Sequence, residues 1–311
     1  MYVIVDPLND KTKGISTYSI LLADALNQMG VLHILALKHQ SETIDSFANR
    51  VSELYDIPGN IVEIPESYAP YFQIKRAKLH VRLHGMDIVL KWKQGQKVLA
   101  ERFYKEKTTI ERADYISSPT LENWNETQKF INLPPKKCVY PNPIPAPTIK
   151  SKIEKSIDVL FVGRFVKLKG IEFLREIQNQ CNSKIVIYSS KLDLYNRLTF
   201  KWIDAKKYEK DKILSMSKVV IIPSLYESFS MVKFEALACG CNVVTWDTCP
   251  YVLNDEIDYG VTRAKYPQVD DFCKCILEAL TIHKIKEYSD MYNKINNKLR
   301  NGLSLIVKQN E

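Results

Sequence analysis

The fold is decided by one stretch, Ile221-Ile222-Pro223-Ser224-Leu225-Tyr226-Glu227-Ser228-Phe229-Ser230-Met231-Val232-Lys233-Phe234-Glu235-Ala236-Leu237-Ala238-Cys239-Gly240. It starts at the end of an apolar run that predicts a buried strand, and it passes through a polar turn into a helical pattern. Glu227 and Glu235 lie eight positions apart, one before the helix and one about two turns inside it. The start of a helix favours anions and a carboxylate can bind ribose hydroxyls, so the layout suits a phosphate-bearing ligand.

The composition is that of a soluble globular protein. The 311 residues are 45% hydrophobic and 26% charged, and the length predicts two domains of about 150 residues. No run approaches the roughly 18 apolar residues of a membrane span, and residues 1–6 contain no basic leader or cleavage site, so we expect a cytoplasmic protein. The seven cysteines lack paired Cys-x-x-Cys spacing, which indicates neither a disulfide framework nor a zinc site.

The first 40 residues have a strand–helix–strand pattern, with strands at 2–5 and 32–37 and an amphipathic helix at 18–29. This βαβ unit predicts a parallel sheet with helices on its faces. Gly14 lies in the loop after the first strand, where such sheets bind ligands, so it is a candidate binding residue, with a plain turn as the alternative. No G-x-G-x-x-G occurs, so a nicotinamide or flavin dinucleotide site is not supported.

His84 is the candidate functional histidine. It follows a predicted strand at 79–83 and precedes Gly85, so it faces the same ligand edge as the Gly14 loop. His39 and His80 have no such placement and are interpreted as structural. The pattern also predicts helices around 70–78 and at 91–112, a strand near 113–119 and a helix at 121–131.

The formal net charge of +8 is concentrated in one segment. Between Gln73 and Asp114, eleven Lys or Arg residues stand against five acidic residues, which leaves +6. The cations alternate with Trp92, Phe103 and Tyr104, a mixture that suits an anionic membrane surface or nucleic acid. A solvated helix face is the alternative for this basic segment, residues 75–112.

Six of the fourteen prolines fall between Leu133 and Pro147, which predicts a stiff linker. A second α/β series follows it, and two doubly wound halves predict a cleft that both ligand edges face. The loop after the first strand of this half contains Gly163, which allows close backbone approach, and Arg164 and Lys169, which can bind a diphosphate. The predicted strands are 158–162, 184–188, 219–222 and 242–246, and the predicted helices are 171–180, 206–216, 270–280 and 284–306.

The second half resembles the donor-binding domain of the retaining glycosyltransferases of family 4, which have the GT-B fold. Three features carry the resemblance, in order: the loop Gly163-Arg164 to Lys169-Gly170, the pair Pro223-Ser224, and the E-x7-E motif from Glu227 to Glu235 with its Glu-Ala-x-Ala-x-Gly tail. A weaker likeness in the first half rests on Ala113-Asp114-Tyr115-Ile116 and on Tyr140-Pro141-Asn142-Pro143.

The resemblance implies an α/β protein of GT-B fold, with two doubly wound Rossmann-like domains facing a central cleft. It implies an acceptor-side domain at 1–140, a linker at 141–150, a donor-binding domain at 151–285, and a helix at 286–311 that crosses back to the first domain. The apolar stripe of that helix is predicted to be core.

The resemblance also implies residue roles. Glu227 lies near the donor sugar, Glu235 binds the ribose, and His84 lies beside the transferred sugar. Arg164 and Lys169 neutralise the diphosphate as it leaves. The remaining donor-binding candidates are Gly14 in the loop of the first half, Gly163 beside Arg164, and four residues at the start of the motif's helix: Ser228, Phe229, Ser230 and Met231. Serines replace the family's usual glycines at positions 228 and 230.

We therefore expect a retaining hexosyltransferase of polysaccharide biosynthesis that uses a UDP-, GDP- or ADP-sugar. The expected acceptor is a glycan or a lipid-linked polysaccharide, at the inner face of the cell membrane. No Asp-x-Asp occurs, so no metal is expected. Two alternatives are a catalytically silent partner of a glycosyltransferase, and a nucleic-acid glucosyltransferase, for which no base-stacking motif is present.

Overall fold

The computed structural model describes residues 1–10, 13–134, 137–147, 154–181, 183–191, 199–282 and 284–308. The chain forms two compact units. The first comprises Met1–Pro143 and Ile295–Glu311, and the second comprises Ile144–Lys294. The roles of acceptor-side and donor-binding domain stay predictions. Part of the loop before Gly14 and part of the predicted linker, residues 11–12 and 148–150, lie outside the described residues.

The first unit contains a five-stranded parallel sheet in the order β2-β1-β3-β4-β5. Its strands are β1 (Tyr2–Asp6), β2 (His33–Leu37), β3 (Ile61–Pro65), β4 (Lys78–Arg82) and β5 (Tyr115–Ser117). Its helices in this part of the chain are α1 (Gly14–Gln28), α2 (Ile44–Tyr55), α3 (Asp87–Lys93), α4 (Ala100–Glu111) and α5 (Leu121–Gln128). Since β1 pairs with both β2 and β3, the winding of the sheet reverses at β1.

Two helix predictions in the first unit are wrong. The segment expected to be helical around 70–78 forms only a 3-10 turn, Ala69–Tyr71. Asp56 explains the difference, because its Oδ1 accepts hydrogen bonds from the N–H groups of residues 75–77. In a helix these N–H groups would instead donate to backbone carbonyl oxygens of the preceding turn. The single helix expected at 91–112 is two helices, α3 and α4, with Gly95 (φ +68°) just after the end of α3.

The second unit contains a six-stranded parallel sheet in the order β11-β10-β9-β6-β7-β8. Its strands are β6 (Ile157–Val162), β7 (Ile185–Ser189), β8 (Lys201–Asp204), β9 (Ser217–Ile222), β10 (Asn242–Trp246) and β11 (Val261–Ala264). Its described helices are α6 (Ile171–Cys181), α7 (Lys210–Ser215), α8 (Met231–Ala238) and α9 (Val269–Thr281). The four predicted strands are confirmed. The two edge strands, β8 and β11, were missed because each has only four residues of mixed polarity.

The last helix, α10 (Tyr288–Val307), begins among residues of the second unit and ends among residues of the first. Its predicted apolar stripe, which includes Met291, Ile295 and Leu299, is fully buried, which confirms that the stripe is core. Gly302 fits directly against the side chain of Tyr140, where a Cβ would approach to 2.3 Å. None of the described helices is long and apolar enough to cross a membrane.

Candidate functional site

In the second unit, β6 lies between β7 and β9, so the winding of the sheet reverses beside β6. Ligands of open α/β sheets bind at the carboxyl ends of the strands at such a point. The segments that leave these ends are residues 163–170 after β6 and residues 223–230 after β9. The topology therefore places the two segments that sequence analysis selected at the expected ligand edge.

Gly170 and Pro223 hold these two loops together. Gly170 has φ +72°, and a Cβ at this position would lie 1.7 Å from the carbonyl oxygen of Pro223, so only glycine fits. Next to this contact, the N–H of Leu225 donates to the carbonyl oxygen of Leu168 at 2.9 Å. The loop that carries Lys169 is thus fixed against the loop that carries Glu227.

The carboxylate of Glu227 receives two donors on one oxygen. Lys169 Nζ and Ser224 Oγ both lie 2.7 Å from Glu227 Oε1. The side chain of Glu227 is 10% exposed and that of Lys169 is 24% exposed. The sequence motif predicted a diphosphate contact for Lys169 and carried no signal for this ion pair, which uses one of the three N–H donors of the ammonium group.

Arg164 differs from Lys169 because its guanidinium is uncommitted. The residue is exposed, and its side chain has no hydrogen-bond or ion-pair partner among the residues that the structure describes. Gly163, just before it, has φ +150°, and its N–H donates to the carbonyl oxygen of Tyr188 at 3.1 Å. Five N–H donors are therefore available at the end of β6.

The start of α8 is strained at Ser230. This residue has φ +65° and ψ +77°, a left-handed conformation that L side chains rarely adopt, and its buried Oγ has no hydrogen-bond partner among the described residues. Its side chain does not cap the helix. Phe229 stacks on Phe234 with ring centroids 4.8 Å apart, which fixes the turn from the other side. Ser228 and Met231 complete this turn.

Glu235 is buried in α8 and forms an ion pair that sequence analysis missed. Lys210, the first residue of α7, places its Nζ 2.5 Å from Glu235 Oε1. The other oxygen, Oε2, is buried without a hydrogen-bond partner in the described part of the chain. Lys210 precedes Glu235 by 25 residues and lies outside the E-x7-E motif, so no sequence signal connected the two.

His84 and Gly14 belong to the first unit. The backbone N–H of His84 donates to Glu66 Oε2 at 2.9 Å, and its ring lies edge-on to Tyr18 with centroids 4.7 Å apart. Burial and the charge of Arg82 lower the pKa of His84 to about 3, so the imidazole is neutral at physiological pH. Gly14 opens α1 one turn before Tyr18, and it has open space around its Cα.

Glu66, which sequence analysis did not select, lies at the end of β3 beside the point where the first sheet reverses. Burial raises its pKa to about 8, and the nearby charge of Glu106 adds to this effect. His80, interpreted as structural from the sequence, is fully buried and hydrogen-bonds to Tyr2 and Ser117. A strand-end carboxylate is a weak signal without the topology, which explains the omission of Glu66.

A groove of about 640 Å³ lies in the first unit beside the 3-10 turn and α4. Its lining includes Tyr68, Tyr71, Gln73, Arg102, Lys105 and Glu106. Glu106 is 1% exposed, its Oε2 accepts from the N–H of Asp87, and its Oε1 lies 3.7 Å from Arg102 Nε, an ion pair without a hydrogen bond. The groove therefore combines aromatic rings with polar side chains that include a buried, partly unsatisfied carboxyl group.

The basic segment is largely neutralised by local ion pairs. Six of its eleven cations pair with carboxylates of the same unit, and Arg82 is buried. The six are Lys78, Lys91, Lys93, Arg102, Lys105 and Lys107. Trp92, Leu99 and Tyr104 expose half or more of their surface between these charges.

Residues 156–281 match the family described as "Glycosyl transferases group 1". An uncharacterized glycosyltransferase of Methanocaldococcus jannaschii is 33% identical over 103 residues, which cover 28% of this chain and 26% of that protein. The match thus spans well under two thirds of the length of this relative. Residues 156–281 are therefore similar to the glycosyltransferases of group 1.

Solved structures extend the similarity to the whole chain. Sucrose-phosphate synthase of Thermosynechococcus elongatus gives a TM-score of 0.73 at 14% identity over 98% of this chain and 96% of that one. The glycosyltransferase WaaG, involved in lipopolysaccharide biosynthesis, gives a TM-score of 0.68 at 12% identity, over 98% of this chain and 99% of that one. The chain has the GT-B fold. HepE of Anabaena, solved in complex with UDP and glucose, gives a TM-score of 0.68 at 14% identity, over 97% of this chain and 99% of that one.

Proposed function

We propose that this chain is a retaining glycosyltransferase of family 4 that transfers a hexose from a nucleotide diphosphate sugar to a glycan or lipid-linked polysaccharide. The observation that carries the proposal is the joined pair of loops at the sheet reversal of the group 1 domain. These loops bring Lys169 and Glu227 into contact and present Arg164 at the same edge. The sequence motifs and the position of these loops in the sheet both support the proposal.

The proposed chemistry is stabilisation of the departing nucleoside diphosphate. Negative charge grows on the leaving group in the transition state, and preorganised donors at that position lower the barrier. Arg164 supplies a free guanidinium, Lys169 supplies its remaining N–H donors, and the start of α8 adds positive potential. We propose that these cations take the place of a divalent ion, so transfer should persist in the presence of EDTA.

We propose that Glu235 binds the ribose through its unpartnered Oε2, and that His84 binds the transferred sugar as a neutral hydrogen-bonding group. A neutral imidazole carries one donor and one acceptor, which suits a sugar hydroxyl. UDP is the first donor nucleotide to test, because the solved HepE complex contains UDP and glucose. GDP and ADP follow.

The acceptor is proposed to bind in the first unit. The groove beside α4 supports a saccharide, because Tyr68 and Tyr71 offer aromatic faces and Arg102 and Glu106 offer donors and acceptors for hydroxyls. We also propose that Trp92 and Leu99 contact an anionic membrane surface, since both are exposed among cations. Binding to vesicles containing phosphatidylglycerol, and its loss in Trp92→Ala, test the membrane contact.

A thermal-shift panel of UDP, GDP and ADP tests the donor site. A ligand that binds only the folded protein stabilises it, by about 2.7 kcal/mol at a hundred times its Kd. We expect one diphosphate to raise Tm, and we expect Arg164→Ala combined with Lys169→Ala to abolish the shift. If no diphosphate raises Tm, the proposal is wrong. Release of the diphosphate from the matching nucleotide sugar then distinguishes an enzyme from a silent partner.

A further inference from the structure

The ion pair between Lys210 and Glu235 involves only one of the two oxygens of a buried carboxylate. Lys210 Nζ occupies Oε1, and Oε2 is buried with no hydrogen-bond partner among the described residues. Glu235 is 7% exposed and Lys210 is 25% exposed. A buried acceptor without a hydrogen bond destabilises the folded state, so native proteins retain few of them without a reason.

The backbone around Lys210 is held in place on both sides. Two residues before it, the carbonyl oxygen of Tyr208 accepts a hydrogen bond from Tyr188 Oη at 2.7 Å. One residue after it, the carbonyl oxygen of Asp211 lies 3.8 Å from Cys239 Sγ, just beyond the end of α8. These contacts fix the start of α7 against β7 and α8, so the ammonium group approaches Glu235 from a defined direction.

We propose that Lys210 is a positioning residue for the nucleotide. It holds Oε1 of Glu235, which leaves Oε2 in the one orientation that accepts a ribose hydroxyl, and it thereby sets the preference for ribonucleotides over nucleotides without ribose hydroxyls. This inference rests on the proposed function. Without the ammonium group, both oxygens of a buried carboxylate lack a partner, and the side chain rotates or takes up a proton to reduce that cost.

The test compares the Kd of UDP with that of 2′,3′-dideoxy-UDP, or the same pair with the base that the thermal-shift panel selects. We expect wild type to prefer the ribonucleotide by at least about tenfold, the effect of a hydrogen bond to a charged group. Lys210→Met should reduce this preference to within about twofold, with the affinity for the dideoxy analogue unchanged. Lys210→Arg should keep the preference, because it restores the cation.

Lys212→Met is the matched control, since Lys212 is an exposed lysine of the same short helix. It should behave as wild type. A Lys210→Met protein that still prefers the ribonucleotide at the wild-type ratio overturns the inference. If that variant does not fold, Lys210→Gln is measured in its place.

Glu235→Ala separates failure of this inference from failure of the proposed function. Loss of the preference in Glu235→Ala but not in the Lys210 variants would refute the role of Lys210 alone. If Glu235→Ala retains the preference, Glu235 does not bind the ribose, and its role in the proposed function is refuted as well. Because the test measures the ratio of two Kd values, a general loss of stability, which weakens both nucleotides alike, cannot produce the expected result.

Discussion

Lys169 Nζ lies 2.7 Å from Glu227 Oε1, so a cation selected for a diphosphate is paired with the first carboxylate of the E-x7-E motif. The two residues come from different loops at the end of neighbouring strands, and Ser224 donates to the same oxygen. This arrangement holds the ammonium group in place before any ligand arrives. A preorganised cation loses less conformational entropy when it binds an anion.

Lys169→Met should raise the Kd of the nucleoside diphosphate by about 10- to 100-fold, the effect of a lost hydrogen bond to a charged group. Isothermal titration calorimetry measures the change. Lys167→Met is the control. Lys167 belongs to the same 3-10 turn, but its Nζ lies 3.6 Å from Oε1 of the exposed Glu172 and forms no ion pair with Glu227. Equal affinities in the two variants would contradict the role of Lys169.

Gly170→Ala should destabilise the protein by about 2–5 kcal/mol, since a left-handed alanine costs roughly 1–2 kcal/mol and overpacking adds about 1–3 kcal/mol. The clash is with backbone, the carbonyl oxygen of Pro223, and cannot be relieved by rotating a side chain. Gly30→Ala measures the backbone cost alone, because Gly30 has a similar φ of +69° and open space around it, so the difference between the two variants gives the cost of the clash. Urea unfolding of both variants should show the smaller loss for Gly30→Ala.

The sequence predicted the buried strands of both sheets, because continuous apolar runs such as Val219 to Ile222 are unambiguous when flanked by turns. It also selected the loops at the ligand edge of the second unit, because motif spacing fixes their order. It failed where tertiary contacts override local preference. Asp56 binds the amides after Tyr71 in place of a helix, and no local pattern could reveal an acceptor 19 residues away.

The candidate site shows the same division. Glu235 and His84 were selected from the sequence, but their partners were not. Lys210 and Glu66 come from other parts of the chain, and only the packing of α7 on α8 and the pairing of β3 with β4 bring them to their partners. Contacts between residues so far apart in sequence depend on the fold and carry no periodic signal.

Ser230→Gly should stabilise the protein by about 1 kcal/mol. Glycine removes the strain of a left-handed serine, roughly 1–2 kcal/mol, and a buried hydroxyl without a partner, although it costs about 0.5–1 kcal/mol in chain entropy. Ser228→Gly is the control, because Ser228 is not among the residues with positive φ and should lose stability instead. Opposite signs in urea unfolding are expected, and a loss of stability in Ser230→Gly would contradict the strain.

The raised pKa of Glu66 predicts that the stability of the protein depends on pH, and it fixes the sign of that dependence. Its carboxyl titrates at about 8 in the folded protein and at about 4.5 when unfolded, so the folded state holds the extra proton between these values. The stabilising contribution is complete below pH 4.5, and it is lost as pH rises through 8. The full loss corresponds to up to roughly 5 kcal/mol, at about 1.4 kcal/mol per pH unit.

Glu66→Gln removes this dependence, because the amide has the shape of the protonated acid and its oxygen can still accept the N–H of His84. The variant should match wild type near pH 4.5 and should exceed it increasingly as pH rises to 8.5. Urea midpoints across that range measure the difference, with Glu53→Gln as a control on the outer surface of α2. A constant offset between wild type and Glu66→Gln at all pH values would show that Glu66 ionises normally.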